Sequence, residues 1–460
     1  MSALWLLQSA ADQIAQARQG LNTPLAERLV GILGMAAMIG IAWLISTNRA
    51  KVNWRLVFMG IVLQVVFALL VLKTGVGQAL FDGANQVFIK LLGFTRDGAS
   101  FIFGNLVSNN VPVGIPIGTP PENAALDVVE TWANTGASFA FLVLPTIIFF
   151  SSLMSVLYYL GVMQRVVRGI AWVMQRTMGT SGAETLSVAG NIFVGQTESP
   201  LLIKPFVASM TYSELNTVMI GGFATIAGGV MAAYVGMLSP YFPDIAGHLL
   251  TASVMNAPAA LLISKILVPE TAVPATRGSV KLEIEKSEAN VIEAAAGGAG
   301  QGLQLALNVG AMLLAFIALI HLINFGVGAL GGLVGAANLS LEQIFGWILS
   351  PLAWLMGVPW ADAGTVGSLI GVKTVVNEFV AYLQLAGTLE TGVALSPRAA
   401  IIATYALLGF ANFSSIAIQI GGIGGIAPNR RSDLSRLGLR AMIGGNLAAF
   451  MSASLAGMLL

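Results

Sequence analysis

Residues 190–200 read Gly190-Asn191-Ile192-Phe193-Val194-Gly195-Gln196-Thr197-Glu198-Ser199-Pro200, in the middle of a stretch, 183–206, that is apolar at both ends. Two amides, two hydroxyls, a carboxylate and a proline do not belong in a straight lipid-facing helix. A charge at the centre of a membrane helix costs roughly 2.5–3.5 kcal/mol, and Gly and Pro interrupt the helix itself. A second stretch, 364–385, carries Lys373, Thr374, Asn377, Glu378 and Gln384 in similar surroundings. Non-helical backbone survives at membrane depth only where protein or a water-filled cavity surrounds it. Both stretches therefore read as re-entrant helical hairpins, the first entering from inside with its tip at 195–200, the second from outside.

The rest of the chain supplies the membrane setting. Of 460 residues 56% are hydrophobic and 9% charged, far below the quarter or so usual in soluble domains. The net charge of +1 argues against nucleic acid as a partner. Cysteine is absent and only His248 and His321 are present, so thiolate and multi-histidine metal centres are out. No nucleophile–base pair stands out, which argues against an enzyme.

Apolar windows bounded by charge predict eight crossings, near 29–45, 56–72, 138–157, 218–238, 249–268, 303–325, 399–418 and 441–460. Arg49, Lys51 and Arg55 follow the first, Arg165, Arg168 and Arg176 the third, Arg277, Lys281 and Lys286 the fifth, and Arg430, Arg431, Arg436 and Arg440 the seventh. Every second loop is basic, which places both termini on the outer side. Residues 1–27 and 78–92 read as interfacial helices, 105–130 as an outer loop, and Glu283, Glu285, Lys286 and Glu288 as a solvated helical run. His321, inside an apolar run, reads as a helix-packing residue.

Each hairpin precedes an interrupted span. Gly221, Gly222, Thr225, Gly228 and Gly229 crowd the fourth, and Phe410-Ala411-Asn412-Phe413-Ser414-Ser415 puts an amide and hydroxyls into the seventh. The expected fold is thus all-α and polytopic, with eight spans, two re-entrant hairpins and an inverted repeat of hairpin–broken helix–helix. Its parts are 1–135 (N-terminal spans, interfacial helices, outer loop), 136–182 (third span and inner amphipathic helix), 183–268 (first transport repeat), 269–363 (inner loop, sixth span, outer segment) and 364–460 (second transport repeat). Paired interruptions in two inverted halves point to a transporter's solute site. The repeat is one of pattern rather than of residue identity.

The stretch 190–200, together with Asn377-Glu378-Phe379-Val380-Ala381-Tyr382 and Gly409-Phe410-Ala411-Asn412-Phe413-Ser414-Ser415-Ile416, resembles the concentrative nucleoside transporters over about 135–460. The resemblance implies a bacterial inner-membrane symporter assembled as a homotrimer, with nucleosides as substrates and one site per protomer. It implies that Gln196, Thr197 and Glu198 face the nucleobase with Val230 packed on it. Glu378, Asn412 and Ser415 would hold the ribose, with Phe410 lining the pocket. Sodium would take oxygens from Asn191, Val194, Thr225 and Ile226. Serine is usual in the family where Thr225 stands; the hydroxyl is kept, and sodium and protons both stay open as coupling ion. The residues agree with these roles: a carboxylate and an amide suit a sugar's hydroxyls, and unwound backbone offers oxygens to a dehydrated cation. Lys204 and Lys373 read as anchors of the hairpins. An ion channel with glycine-broken filter loops is the alternative from another class.

Overall fold

The structure, a computed structural model, describes residues 23–108, 110–115, 128–134, 139–277, 288–333, 335–336, 339–390 and 395–460. Capped apolar runs become helices in the expected order. α1 (Leu25–Leu44) follows Pro24, and α2 (Trp54–Lys73) starts at Asn53, whose side chain accepts the Leu56 N–H at 3.2 Å. α3 (Gly75–Phe103) is capped by Thr74, which accepts the Gly77 N–H at 3.0 Å. β1 (Asn110–Ile115) and β2 (Val128–Asn134) pair antiparallel. A π-turn at Phe139–Val143 leads into α4 (Leu144–Tyr159). The amphipathic α5 (Val162–Met178) lies between Gly161 and Gly179, both at positive φ. Then come α6 (Gly182–Gly190), α7 (Lys204–Val207), α8 (Tyr212–Ala224), α9 (Gly228–Leu238), α10 (Ile245–Leu267) and α11 (Val291–Gly332). α12 (Leu341–Leu355), α13 (Trp360–Val375), α14 (Glu378–Glu390), α15 (Pro397–Leu407), α16 (Phe413–Ile426) and α17 (Arg431–Leu459) complete the chain.

Among the described residues, seven helices or helix pairs are long and apolar enough to cross a membrane: α1, α2, α4, α8 with α9, α10, α11 and α17. The seventh expected crossing, 399–418, is occupied by two shorter helices, α15 and α16, separated by 408–412. Both hairpins form. The first runs from α6 through an irregular tip to the 3₁₀ turn Ser199–Ile203, and Ser199 Oγ ties its legs together by donating to Ser187 O at 2.5 Å. The second is α13 and α14, turned at 376–377, where Asn377 caps α14 by accepting the Val380 N–H at 2.9 Å.

Several local expectations change. The outer loop 105–130 contains strand β1 and the start of β2, because Val111, Val113, Val128, Val129 and Thr131 favour extended backbone. The interfacial segment 78–92 is part of the 29-residue α3. Residues 1–22 and 278–287, which hold most of the expected N-terminal helix and of the charged run, lie outside the described residues. His321 is exposed on α11 in the single chain.

Burial separates two kinds of span. The crossing segments of α8–α9, α10 and α17 are 89%, 89% and 83% buried, whereas those of α1, α2, α4 and α11 are 17–33% buried. Helices apolar all round at the centre of a protein form its interior, and those with open apolar faces form its shell. The 42-residue α11 is about 63 Å long at 1.5 Å per residue, twice the hydrocarbon thickness. It lies on α4 through Gly298 and Gly302, where an added Cβ would come within 2.6–2.8 Å of Ser155, Ser151 and Ile148.

A buried charge cluster joins the ends of the first repeat. Ser181 and Glu184 form a capping box on α6, and Thr211 and Glu214 form one on α8. Ser181 Oγ also donates to Glu214 at 2.5 Å, and Lys265 of α10 pairs with Glu184 at 2.7 Å. The second repeat repeats the arrangement more simply: Ser396, the cap of α15, donates to Asp362 in the first turn of α13 at 2.5 Å.

Candidate functional site

The two broken spans meet at their breaks. Ala224 ends α8 and Thr225 is extended, while Gly409 at φ +106 turns the chain between α15 and α16. A Cβ on Gly409 would lie 2.5 Å from Phe223 O, so the crossing requires glycine there. Gly222-Phe223-Ala224-Thr225 faces Gly409-Phe410-Ala411-Asn412, a residue-level repeat at the point where the halves touch. Each break exposes a carbonyl inside the protein, and each is met by an asparagine from the following helix. Asn256 Nδ2 of α10 donates to Ala224 O at 2.6 Å, and Asn446 Nδ2 of α17 donates to Ala411 O at 3.0 Å. Orphaned buried carbonyls are costly, and these two amides keep the breaks open.

Lys373 serves the second break in another way. Fully buried on α13, it donates to the carbonyls of Ala406 and Leu408 at 2.9 and 3.3 Å, placing a cation at the C-terminus of α15. It anchors the hairpin, as expected. Lys204 is exposed and makes no such tie.

Between the hairpin tips and the breaks lies a cavity of about 340 Å³, at the lower end of the roughly 300–1,000 Å³ typical of small-molecule sites. All eight residues expected at a solute site line it: Gln196, Thr197, Glu198, Val230, Glu378, Phe410, Asn412 and Ser415. Leu305, Asn308, Val309, Met312 and Leu313 of α11 close one side, a contribution that sequence reasoning missed because the sixth span reads as plain scaffold.

Two polar pairs, joined through the first turn of α16, line this space. In one, Asn412 Nδ2 donates to Glu378 Oε2 at 2.8 Å, and Tyr234 Oη donates to Glu378 Oε1 at 3.2 Å. Asn412 Oδ1 meanwhile caps α16 by accepting the Ser415 N–H at 2.9 Å. Glu378 sits in the first turn of α14, where the helix dipole favours a carboxylate. In the other, Gln196 Nε2 donates to Ser415 Oγ at 3.2 Å. Glu198 is exposed at the tip, so it is not a buried structural acid. A negative group flanked by donors at one end and an amide at the other is a site for a solute with hydroxyls and a polar ring.

The four residues expected to hold a cation lie behind the first tip and not in the cavity. Thr225 Oγ1 donates to Gly221 O at 2.8 Å, and a Cβ on Gly221 would lie 3.4 Å from Asn191 Nδ2, so Asn191 and Thr225 flank one backbone turn. Phe193 O accepts the Gly228 N–H at 2.9 Å, which holds Val194 against the break that contains Ile226. Asn191 is fully buried and neither atom of its amide has a protein partner, so an oxygen is free whichever way the amide is turned. A buried amide oxygen, a hydroxyl and non-helical carbonyls are the hard donors that a sodium ion takes. Among the described residues, no group of three or more His, Cys, Asp or Glu could hold a metal.

Three family models match in sequence: the Na⁺-dependent nucleoside transporter N-terminus over 33–106, nucleoside recognition over 140–241, and the Na⁺-dependent nucleoside transporter C-terminus over 248–457. An uncharacterized transporter of Haemophilus influenzae is 46% identical over 94% of this chain and 97% of its own length. Mouse sodium/nucleoside cotransporter 1 is 41% identical over 94% of this chain, which spans 64% of the mouse protein. The solved transporter CNTnw, inward-facing and substrate-bound, is 44% identical and superposes with a TM-score of 0.82 over 94% of this chain and 97% of that one. An outward-facing double variant of CNTnw gives 0.85, with 44% identity over 95% and 98%.

Proposed function

This chain belongs to the concentrative, Na⁺-dependent nucleoside transporter family, and on that premise we propose that it is a sodium-coupled symporter that imports nucleosides. The observation that carries the proposal is that the Glu378–Asn412 pair and the Gln196–Ser415 pair line one cavity. Glu378, Asn412 and Ser415 hold ribose hydroxyls, because an ionised carboxylate accepts from a hydroxyl more strongly than a neutral group does. Gln196, Thr197 and Glu198 meet the nucleobase, Val230 packs on its face and Phe410 lines the pocket. Sodium is carried behind the hairpin by Asn191 Oδ1, Val194 O, Thr225 Oγ1 and Ile226 O. Ion and solute then share one hairpin, so the tip settles only when both are present.

Residues 183–268 and 364–460 form the moving transport unit, and 1–135, 136–182 and 269–363 form the scaffold it moves against. Three copies assemble, each with its own site, in a bacterial inner membrane with both termini outside. One sodium ion entering gains about 2.3 kcal/mol per 100 mV, and a tenfold gradient adds about 1.4 kcal/mol. At one ion per solute the sum of about 3.7 kcal/mol sustains accumulation of about 500-fold.

The test is uptake of labelled uridine into proteoliposomes, with sodium and pH gradients imposed separately. An inward sodium gradient drives uptake and a pH gradient alone does not. Uptake that persists without sodium and follows the pH gradient would overturn the sodium assignment.

A further inference from the structure

The amide of Gln196 has two faces, one an acceptor and one a donor, and which of them meets the cavity decides what a ligand must offer there. Glutamine oxygens and nitrogens are assigned from their hydrogen-bond partners. Here a residue outside the cavity makes the assignment. Gln419, fully buried on α16, has one end of its side-chain amide 3.1 Å from the backbone carbonyl of Met219 on α8. A carbonyl oxygen carries no hydrogen, so the Gln419 atom facing it is the NH₂. The same Nε2 lies 3.0 Å from the Gln196 amide, so its second hydrogen points there, and the Gln196 atom that receives it is Oε1. Gln196 Nε2 is then left to face Ser415 Oγ at 3.2 Å and the cavity.

The packing fixes where the two side chains lie, and the hydrogen bonds fix which way the Gln196 amide is turned. A Cβ on Gly222 would lie 2.8 Å from Gln419 Nε2 and 2.9 Å from Gln196 Cβ, so both side chains are pressed against a helix surface that only glycine provides. Turning Gln196 over would set its NH₂ against the NH₂ of Gln419. That loses one hydrogen bond and leaves two buried donors facing each other.

We propose that Gln419 is a positioning residue that sets the polarity of the site. Through the chain Met219 O, Gln419 Nε2, Gln196 Oε1 it locks Gln196 with its NH₂ towards the solute. The transporter therefore selects nucleosides whose base presents an acceptor, a carbonyl oxygen or an unprotonated ring nitrogen, at that point. The proposal rests on the nucleoside-transport reading above and adds the rule by which one base is preferred to another.

The experiment measures initial uptake of uridine, cytidine, adenosine and inosine by the full chain in proteoliposomes under an inward sodium gradient, giving a KM for each. Wild-type protein and the variants Gln419→Met and Gln196→Glu are compared after size-exclusion chromatography confirms that they are folded. The wild type separates its best and worst nucleosides by about fivefold or more, the worth of one neutral hydrogen bond. Gln419→Met keeps the volume but frees the Gln196 amide, and the KM ratios contract towards one. Gln196→Glu still accepts from Gln419 through one oxygen but offers the cavity an acceptor, and the rank order changes. A wild type that treats all four alike, a Gln419→Met variant that lowers every maximal rate but preserves the KM ratios, or a Gln196→Glu variant that keeps the wild-type order would each overturn the proposal. A wild type that carries none of the four would instead overturn the transport reading.

Discussion

Replacing Glu378 by glutamine keeps the side chain's shape and removes its charge, so it isolates what the carboxylate does. In the structure both of its oxygens accept, one from Asn412 Nδ2 at 2.8 Å and one from Tyr234 Oη at 3.2 Å. Glutamine offers one acceptor and one NH₂, and both facing groups can adapt: the Tyr234 hydroxyl can accept, and the Asn412 amide retains Oε1. The fold is therefore retained. A ribose hydroxyl loses more, because its charge-assisted bond to a carboxylate becomes at best a neutral one. Hydrogen bonds to charged groups are worth about 1.5–3 kcal/mol. A neutral bond retains about 1 kcal/mol, so at 1.36 kcal/mol per decade the loss of about 0.5–2 kcal/mol raises the KM for uridine by about 2- to 30-fold. The assay is a concentration series of uridine uptake in proteoliposomes, with the melting temperature of the purified variant as the control for folding. A wild-type KM in a folded Glu378→Gln protein would refute the role given to the carboxylate.

Other substitutions read other parts of the account. Asn191→Ala removes an amide with no protein partner, so stability in sodium-free buffer changes by less than about 1 kcal/mol, while the sodium concentration for half-maximal uptake rises about tenfold or more. Chemical denaturation in detergent and sodium-titrated uptake measure the two. Lys265→Met leaves Glu184 buried without its cation and destabilises the protein by about 3–5 kcal/mol. Adding Glu184→Gln recovers most of that loss, and a single variant as stable as wild type would show that the cluster does not hold the first repeat together. Gly222→Ala pushes a methyl group against Gln419 and Gln196 and raises the KM for every nucleoside by about fivefold or more, with no change in sodium affinity.

The residues that break a rule were the ones legible in the sequence. Glu198 and Glu378 stand where lipid forbids them, so the hairpins and the cavity between them follow from the cost of burying charge. The arginine-rich alternate loops likewise count the crossings. Residues whose role arises from an encounter were illegible. Gln419 lies in Ile418-Gln419-Ile420, and nothing local says that its NH₂ meets Met219 O and Gln196. Asn256 and Asn446 are ordinary polar positions in long helices until the fold brings each to the open carbonyl of an alanine. The matching Gly-Phe-Ala triplets were visible as letters but acquire meaning only where the breaks touch. Pro112 and Gly114 hid the extended pattern of β1, and Leu305 to Leu313 looked like any lipid-facing run before α11 was seen to wall the cavity.

The claim that one hairpin joins solute and ion is tested most directly by thermal stability, since a ligand that binds only the folded state must raise it. The purified protein is melted with and without uridine, in sodium chloride and in choline chloride. Uridine is predicted to raise the melting temperature in sodium and to have little effect in choline. An equal rise in both salts, or none in either, would contradict the account.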